Sequence, residues 1–133
     1  MNCISFNKIV KAWDIITSTN YDVWLDEQTE DSKRSIFRKV YLLSEHGPNL
    51  GRPHADTLKG SKKLKNLKEL RTQTENHLFR IAYIFDPERK ALLLIGGDKK
   101  GKSEKKFYKD LIREAEQIYA AYLEKKNKEG KVK

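Results

Sequence analysis

Five side chains in the second half of this sequence have the types that metal-free RNA cleavage needs: Glu69, Arg71, Arg80, Lys100 and Tyr108. That reaction removes a proton from a 2′-hydroxyl, stabilises the charge of a pentacovalent phosphorane, and protonates the leaving 5′-oxygen. Two guanidiniums and an ammonium suit the phosphate. A carboxylate, a phenol or a pKa-lowered lysine suits the proton transfers. Lys and Tyr ordinarily titrate at about pH 10, so either acts as a base at neutral pH only in a strongly perturbed site. The same residues also fit plainer readings. Glu69 could make a structural ion pair with an arginine, and Tyr108 could edge a core.

The candidates lie on apolar runs rather than in a solvated loop: Asn66-Leu-Lys-Glu-Leu-Arg71, Phe79-Arg-Ile-Ala-Tyr-Ile-Phe-Asp86 and Leu92-Leu-Leu-Ile-Gly-Gly-Asp-Lys-Lys100. Three strands, about Leu67–Thr72, His77–Asp86 and Ala91–Gly96, are expected here. Side chains alternate between the faces of a strand, so Glu69 and Arg71 share one face. Arg80 points opposite to Phe79, Ile81, Tyr83 and Phe85. If helices cover that aromatic face, Arg80 stays on the open side, where it can meet Glu69 and Arg71. Asp98, Lys99 and Lys100 then stand at the rim. Connections this short make the strands an antiparallel meander, with Asp86-Pro87-Glu88-Arg89 as a natural turn.

Earlier in the chain, residues 9–17 read as a first strand, and Asn20 or Asp22 can cap a short helix through Val23, Trp24 and Leu25. A helix follows over about Asp31–Glu45, with Ile36, Val40 and Leu43 on one stripe, and Gly47-Pro48 ends it. Residues 49–65 read as a long loop whose second half is cationic: Lys59, Lys62, Lys63 and Lys65. With Lys68 and Lys99 these are the candidate RNA-binding lysines. Ser103 caps a last helix reaching about Glu124, with Phe107, Leu111, Ala115, Ile118 and Tyr122 at helical spacing. The order β-α-α-β-β-β-α predicts one α+β domain over residues 1–124, a small antiparallel sheet with helices packed on one face. Residues 125–133 read as a basic, disordered tail.

Composition agrees with an anionic partner. The chain has 133 residues and a formal charge of +9. Residues 1–58 hold seven Lys/Arg against eight Asp/Glu, leaving 21 against 11 for the rest. Such asymmetry points to nucleic acid or an acidic protein. No apolar run is long enough for a bilayer, and no secretory signal is visible, so no membrane and a cytoplasmic location are expected. Cys3 is the single cysteine, which excludes an internal disulfide or a thiolate metal cage. His46 suits a helix C-terminus. His54 and His77 could shuttle protons or simply be surface residues. No histidine pair has metal-ligand spacing, and Gly96-Gly97 is too short for a phosphate loop, so neither metal nor cofactor is expected.

Taken together, Gly47-Pro48-Asn-Leu-Gly51-Arg52-Pro53, Asn66-Leu-Lys-Glu-Leu-Arg71, Phe79-Arg80-Ile-Ala-Tyr83 and Gly96-Gly-Asp-Lys-Lys100 resemble the phage-derived Gp49-like, HigB-type branch of the RelE/ParE toxin superfamily. The resemblance spans about residues 13–123. It implies a RelE-like fold and a toxin of a type II toxin–antitoxin module. That toxin would be a ribosome-dependent mRNA endonuclease, neutralised by an antitoxin that carries a helix-turn-helix DNA-binding domain, so that the pair binds operator DNA. Arg80 matches the arginine that RelE-like enzymes place on the scissile phosphate, and Arg71 matches a basic strand-end position. Lys100, or Lys99 by a one-residue slip, falls where a second cation follows the meander, and Tyr108 falls near the family's tyrosine. Glu69 stands where RelE has a lysine, which leaves the general base open. HigB-type members use His and Asp near the C-terminus, and this chain has no histidine after His77. The superfamily also contains ParE-type toxins that inhibit DNA gyrase without cutting RNA, the alternative reading.

Overall fold

The computed structural model describes residues 12–132. Cys3, and residues 9–11 of the expected first strand, lie outside them. The chain forms β1 (Asp14–Thr17), α1 (Thr19–Asp26), α2 (Glu30–His46), a 3-10 turn (Gly47–Asn49), β2 (Ala55–Thr57), β3 (Lys68–Gln73), β4 (Leu78–Asp86), β5 (Lys90–Asp98) and α3 (Glu104–Val132). The helix starts follow from local chemistry. Ser18 Oγ accepts from the Tyr21 amide at 2.9 Å and Thr29 Oγ1 from that of Ser32 at 3.2 Å. Each satisfies an orphan donor of the first turn. The α1 cap is therefore Ser18, not Asn20 or Asp22. Ser103 caps α3 as expected, its carbonyl accepting from the Phe107 amide at 2.9 Å.

Among the described residues the five strands lie in the order β1-β5-β4-β3-β2. β3, β4 and β5 form the expected antiparallel meander, and Ala55–Thr57, inside the expected loop, adds β2 antiparallel to β3. β1 instead pairs parallel to β5, with Asp14 opposite Lys90 and Thr17 opposite Leu93. The sheet is therefore mixed rather than purely antiparallel. Ser18 fixes this arrangement, donating its amide to the Leu93 carbonyl at 3.0 Å and its hydroxyl to that of Leu94 at 2.5 Å.

Helices cover both faces, where one was expected. Tyr21, Ile36 and Leu43 of α1 and α2 pack on Leu70, Phe79, Ile81, Tyr83 and Leu93. On the other side Phe107, Leu111 and Ala115 of α3 pack on Leu67, Ala82, Ile84, Leu92 and Leu94. The cause is in β4 and β5, whose residues are apolar at both parities over Ile81–Phe85 and Ala91–Ile95. Such strands lose about 1.5–3 kcal/mol per large side chain left in water, so a second face must be roofed. Gly96 and Gly97 lie inside β5 rather than at its end. A Cβ would stand 2.4 Å from the Trp24 ring at Gly96 and 3.0 Å from Phe107 at Gly97. Their bareness admits an aromatic ring from each face.

α3 also continues through residues 125–132, expected as a disordered tail. One reason is visible: Lys126 Nζ reaches Asp86 Oδ2 at 3.2 Å.

Candidate functional site

Where the first turns of α3 cross β3 and β4, four chemically active side chains meet. Arg71 lies directly opposite Arg80 across the β3–β4 ladder, and Glu69 lies opposite Ala82. Period-two alternation puts all three on one face, as the sequence pattern implied, but that face is the one α3 covers. Tyr108, in the second turn of α3, donates its hydroxyl to Glu69 Oε1 at 2.8 Å. Arg80 Nε donates to the Tyr108 oxygen at 3.2 Å, and Arg80 Nη1 donates to the Phe79 carbonyl at 2.9 Å. Arg80 Nε also stands 3.8 Å from Glu69 Oε1, and Arg71 Nε 4.0 Å from Oε2. Arg80 is thus not on an open face but 5 % exposed, because α3 roofs that side of the sheet.

The electrostatics follow from this burial. Burial pushes the Glu69 carboxyl above the usual glutamate range, against the Tyr108 hydrogen bond and the two guanidiniums. Burial, and then the hydrogen bond to Glu69, also push the Tyr108 phenol up. Tyr108 therefore stays protonated at neutral pH. The pair is arranged to hold one proton between a phenol and a carboxylate that readily takes it.

The second cation at the cluster is Lys99 rather than Lys100. Lys99 Nζ lies 5.4 Å from the Tyr108 ring centre and 2.7 Å from Glu104 Oε1. Its ammonium holds the exposed Glu104 carboxylate below its ordinary range. Lys100 is exposed, and its contact is through its backbone amide to Asp98 Oδ1 at 3.0 Å. One residue of register decides this, because Lys99 has the parity of Gly97, opposite Arg80. Lys68 falls on the other face of the sheet, with the parity of Leu70.

Of the loop lysines, Lys59, Lys62 and Lys63 join Lys105, Lys109 and Arg113 of α3 around a groove of about 750 Å3 that Tyr108 also lines. Lys65 is exposed and does not line it. Ser61 anchors the loop by donating to Glu116 Oε2 at 2.7 Å.

Two constellations had no local signal in the sequence. His77 Nδ1 meets Asp98 Oδ2 at 2.6 Å, with the imidazole stacked on Phe79 at 4.9 Å. Burial raises the Asp98 pKa, but hydrogen bonds from His77 and from the Leu78 and Lys100 amides outweigh it and hold it low. Asp86 accepts from Tyr122 at 3.3 Å and from Lys126 at 3.2 Å, joining strand to helix across some forty residues. Among the described residues no group of three or more His, Cys, Asp or Glu could hold a metal ion, and no helix is long and apolar enough to cross a membrane.

Comparison with known proteins identifies the family and the fold. A family model described as phage derived protein Gp49-like matches residues 23–120. The chain is 36% identical over 101 residues to "Putative toxin HigB2" of Mycobacterium tuberculosis, a match covering 75% of this chain and 49% of that protein. It thus spans about half the length of that relative. It is 37% identical over 103 residues to "Putative toxin HigB3" of the same organism, covering 77% of this chain and 87% of the other. Among solved structures, a mutant of the E. coli toxin RelE in the free state superposes with a TM-score of 0.54 at 12% identity, covering 76% of this chain and 94% of that one. The M. tuberculosis RelBE2 toxin-antitoxin complex gives 0.52 at 15% identity, covering 65% and 98%. At these identities the likeness is one of fold, and the fold is RelE-like.

Proposed function

The chain belongs to the phage-derived Gp49-like family, and from that premise we propose that it is a RelE/HigB-type toxin that cleaves mRNA on the ribosome without a metal. The observation that carries this reading is the Arg80–Tyr108–Glu69 cluster, a buried proton-holding pair with guanidiniums against it. A site of this kind does two things at once. Arg80, Arg71 and Lys99 neutralise a phosphate whose charge grows towards the phosphorane. The 2′-hydroxyl gives its proton to the Tyr108 oxygen as Tyr108 passes its own to Glu69. No free phenolate forms, and Glu69 becomes neutral, the form its burial favours. Lys99 supplies the proton to the leaving 5′-oxygen. Glu69 thus takes the role of base through Tyr108, replacing the lysine that RelE has at that position.

The cationic groove of Lys59, Lys62, Lys63, Lys105 and Lys109 suits the ribosomal RNA that would position the protein. The proposed partner in neutralisation is a cognate antitoxin, encoded next to this chain with a helix-turn-helix pattern, through which the pair would bind operator DNA. Primer extension on mRNA after induction tests the reading. The wild-type chain should yield discrete 5′ ends and growth arrest, and Arg80→Ala should remove both. Arrest with intact transcripts, as a gyrase inhibitor would give, overturns it.

A further inference from the structure

A second cavity, of about 460 Å3, opens where α2 meets the end of β3. Its lining includes Ser35, Arg38, Lys39, Arg71, Thr72 and Arg80, and no carboxylate. Arg38 and Lys39 have no carboxylate partner among the described residues, and Lys39 Nζ is held instead 2.6 Å from His54 Nδ1. Ser35 and Thr72 hydroxyls meet at 2.6 Å in the same wall. Burial without a compensating anion lowers the Lys39 pKa.

The place of this cavity in the fold matters as much as its charge. β2 pairs with β3 only from Lys68 to Leu70, and the Arg71 amide donates to the His54 carbonyl at 2.8 Å. Among the described residues, no strand lies beside the β3 edge beyond Arg71. Arg80 belongs to both sites, since it lines the cavity while its Nε bonds Tyr108. Two hydroxyls and four cations, of which only Arg71 and Arg80 also stand near an acid, Glu69, are suited to the several acceptor oxygens of a phosphodiester.

We propose that this cavity is a second phosphate subsite. Arg38, Lys39 and Arg71 hold the phosphodiester next to the one on Arg80, so that single-stranded RNA crosses the open end of β3. The proposal rests on the RNA-cleaving reading of the Arg80 site and adds the path of its substrate. Arg38 and Lys39 are binding groups and take no part in the proton transfers.

The test is the salt dependence of binding of a 2′-O-methyl, hence uncleavable, single-stranded oligonucleotide. Wild type would be compared with Arg38→Gln/Lys39→Gln, with Arg38→Glu and with Arg80→Ala. For single strands each lost phosphate contact reduces the slope of log affinity against log salt by about 0.7. The double variant should lose about one such contact, with affinity down roughly tenfold at low salt. Arg38→Glu, at an exposed position with its melting temperature as control, should weaken binding likewise. Unchanged affinity and slope in both α2 variants, with binding still weakened by Arg80→Ala, overturns the subsite and leaves the RNA reading standing. Absence of any Arg80-dependent RNA binding overturns both. Retained RNA binding with lost affinity for an acidic partner protein overturns the proposal in favour of a peptide carboxylate.

Discussion

α3 is joined to the sheet at two places by the same three kinds of side chain, and the two behave oppositely. Near its start, Glu69 takes a hydrogen bond from Tyr108, with Arg80 beside both. Fourteen residues on, about four turns along one helix face, Asp86 takes hydrogen bonds from Tyr122 and Lys126. Both acids are 5 % exposed. Yet burial wins at Glu69, whose carboxyl is pushed up. At Asp86 burial also pushes up, but the Glu88 amide, Lys126 and Tyr122 together hold it low. Two things differ: Glu69 lies deeper within the protein than Asp86, and fewer donors reach its carboxylate. Asp86 is saturated and fixes the helix in place. Glu69 is under-donated and ready to take a proton. One cluster is a staple and the other the proposed reaction site, made from nearly the same parts.

The largest expected effect that would break this comparison concerns the reaction site. Arg80→Ala should lower mRNA cleavage roughly 10²–10³-fold, the scale of losing one preorganised donor at a developing oxyanion. A kinetic assay with purified ribosomes and message measures it. Next in size, Asp86→Ala should destabilise the fold by about 1–2 kcal/mol, because it removes the hydrogen bonds that join the β4–β5 turn to α3. Cleavage per folded molecule should be unchanged, and denaturant unfolding read beside the kinetics separates the two.

Acid titration sharpens the contrast further. Glu69's folded pKa is raised, so its ionisation costs stability as pH rises through that pKa, above the ordinary glutamate range. Asp86's folded pKa is lowered, so its contribution is present above the ordinary aspartate range and lost as pH falls through the folded value. Between neutrality and mildly acid pH, wild type should therefore gain stability relative to Glu69→Gln. The gap between wild type and Asp86→Asn should hold there and close only in stronger acid. Smallest of all is Lys126→Ala. Its side chain is 41% exposed, so the loss should be slight and vanish in high salt.

Much of this is legible in the order of residues alone. Period two places Glu69, Arg71 and Arg80 on one face, and the stripe from Phe107 to Tyr122 announces α3. Alternation cannot say which face α3 covers, since that depends on how the chain crosses over the sheet, so Arg80 was expected in the open. Ala82 and Ile84, apolar at the parity of Arg80, carry the signal that a helix covers that face as well. Lys99 and Lys100 differ by one step of register, which composition cannot resolve. Ala55–Thr57 is too short to show as a strand within a loop. Asp86 and Lys126 are forty residues apart, a pairing that no local pattern carries. The tail's lysines read as solvated in the sequence because the acid that holds one of them, Asp86, lies on another element.

The central claim is that Glu69 is the under-satisfied acid that moves the proton and Asp86 the satisfied one that holds the helix. Unfolding and cleavage, measured on Glu69→Gln and Asp86→Asn side by side at neutral pH, test it most directly. Glu69→Gln should be at least as stable as wild type and lose cleavage more than about 100-fold. Asp86→Asn should lose about 1–2 kcal/mol and cleave at the wild-type rate. A Glu69→Gln protein that is destabilised yet cleaves normally would contradict the account.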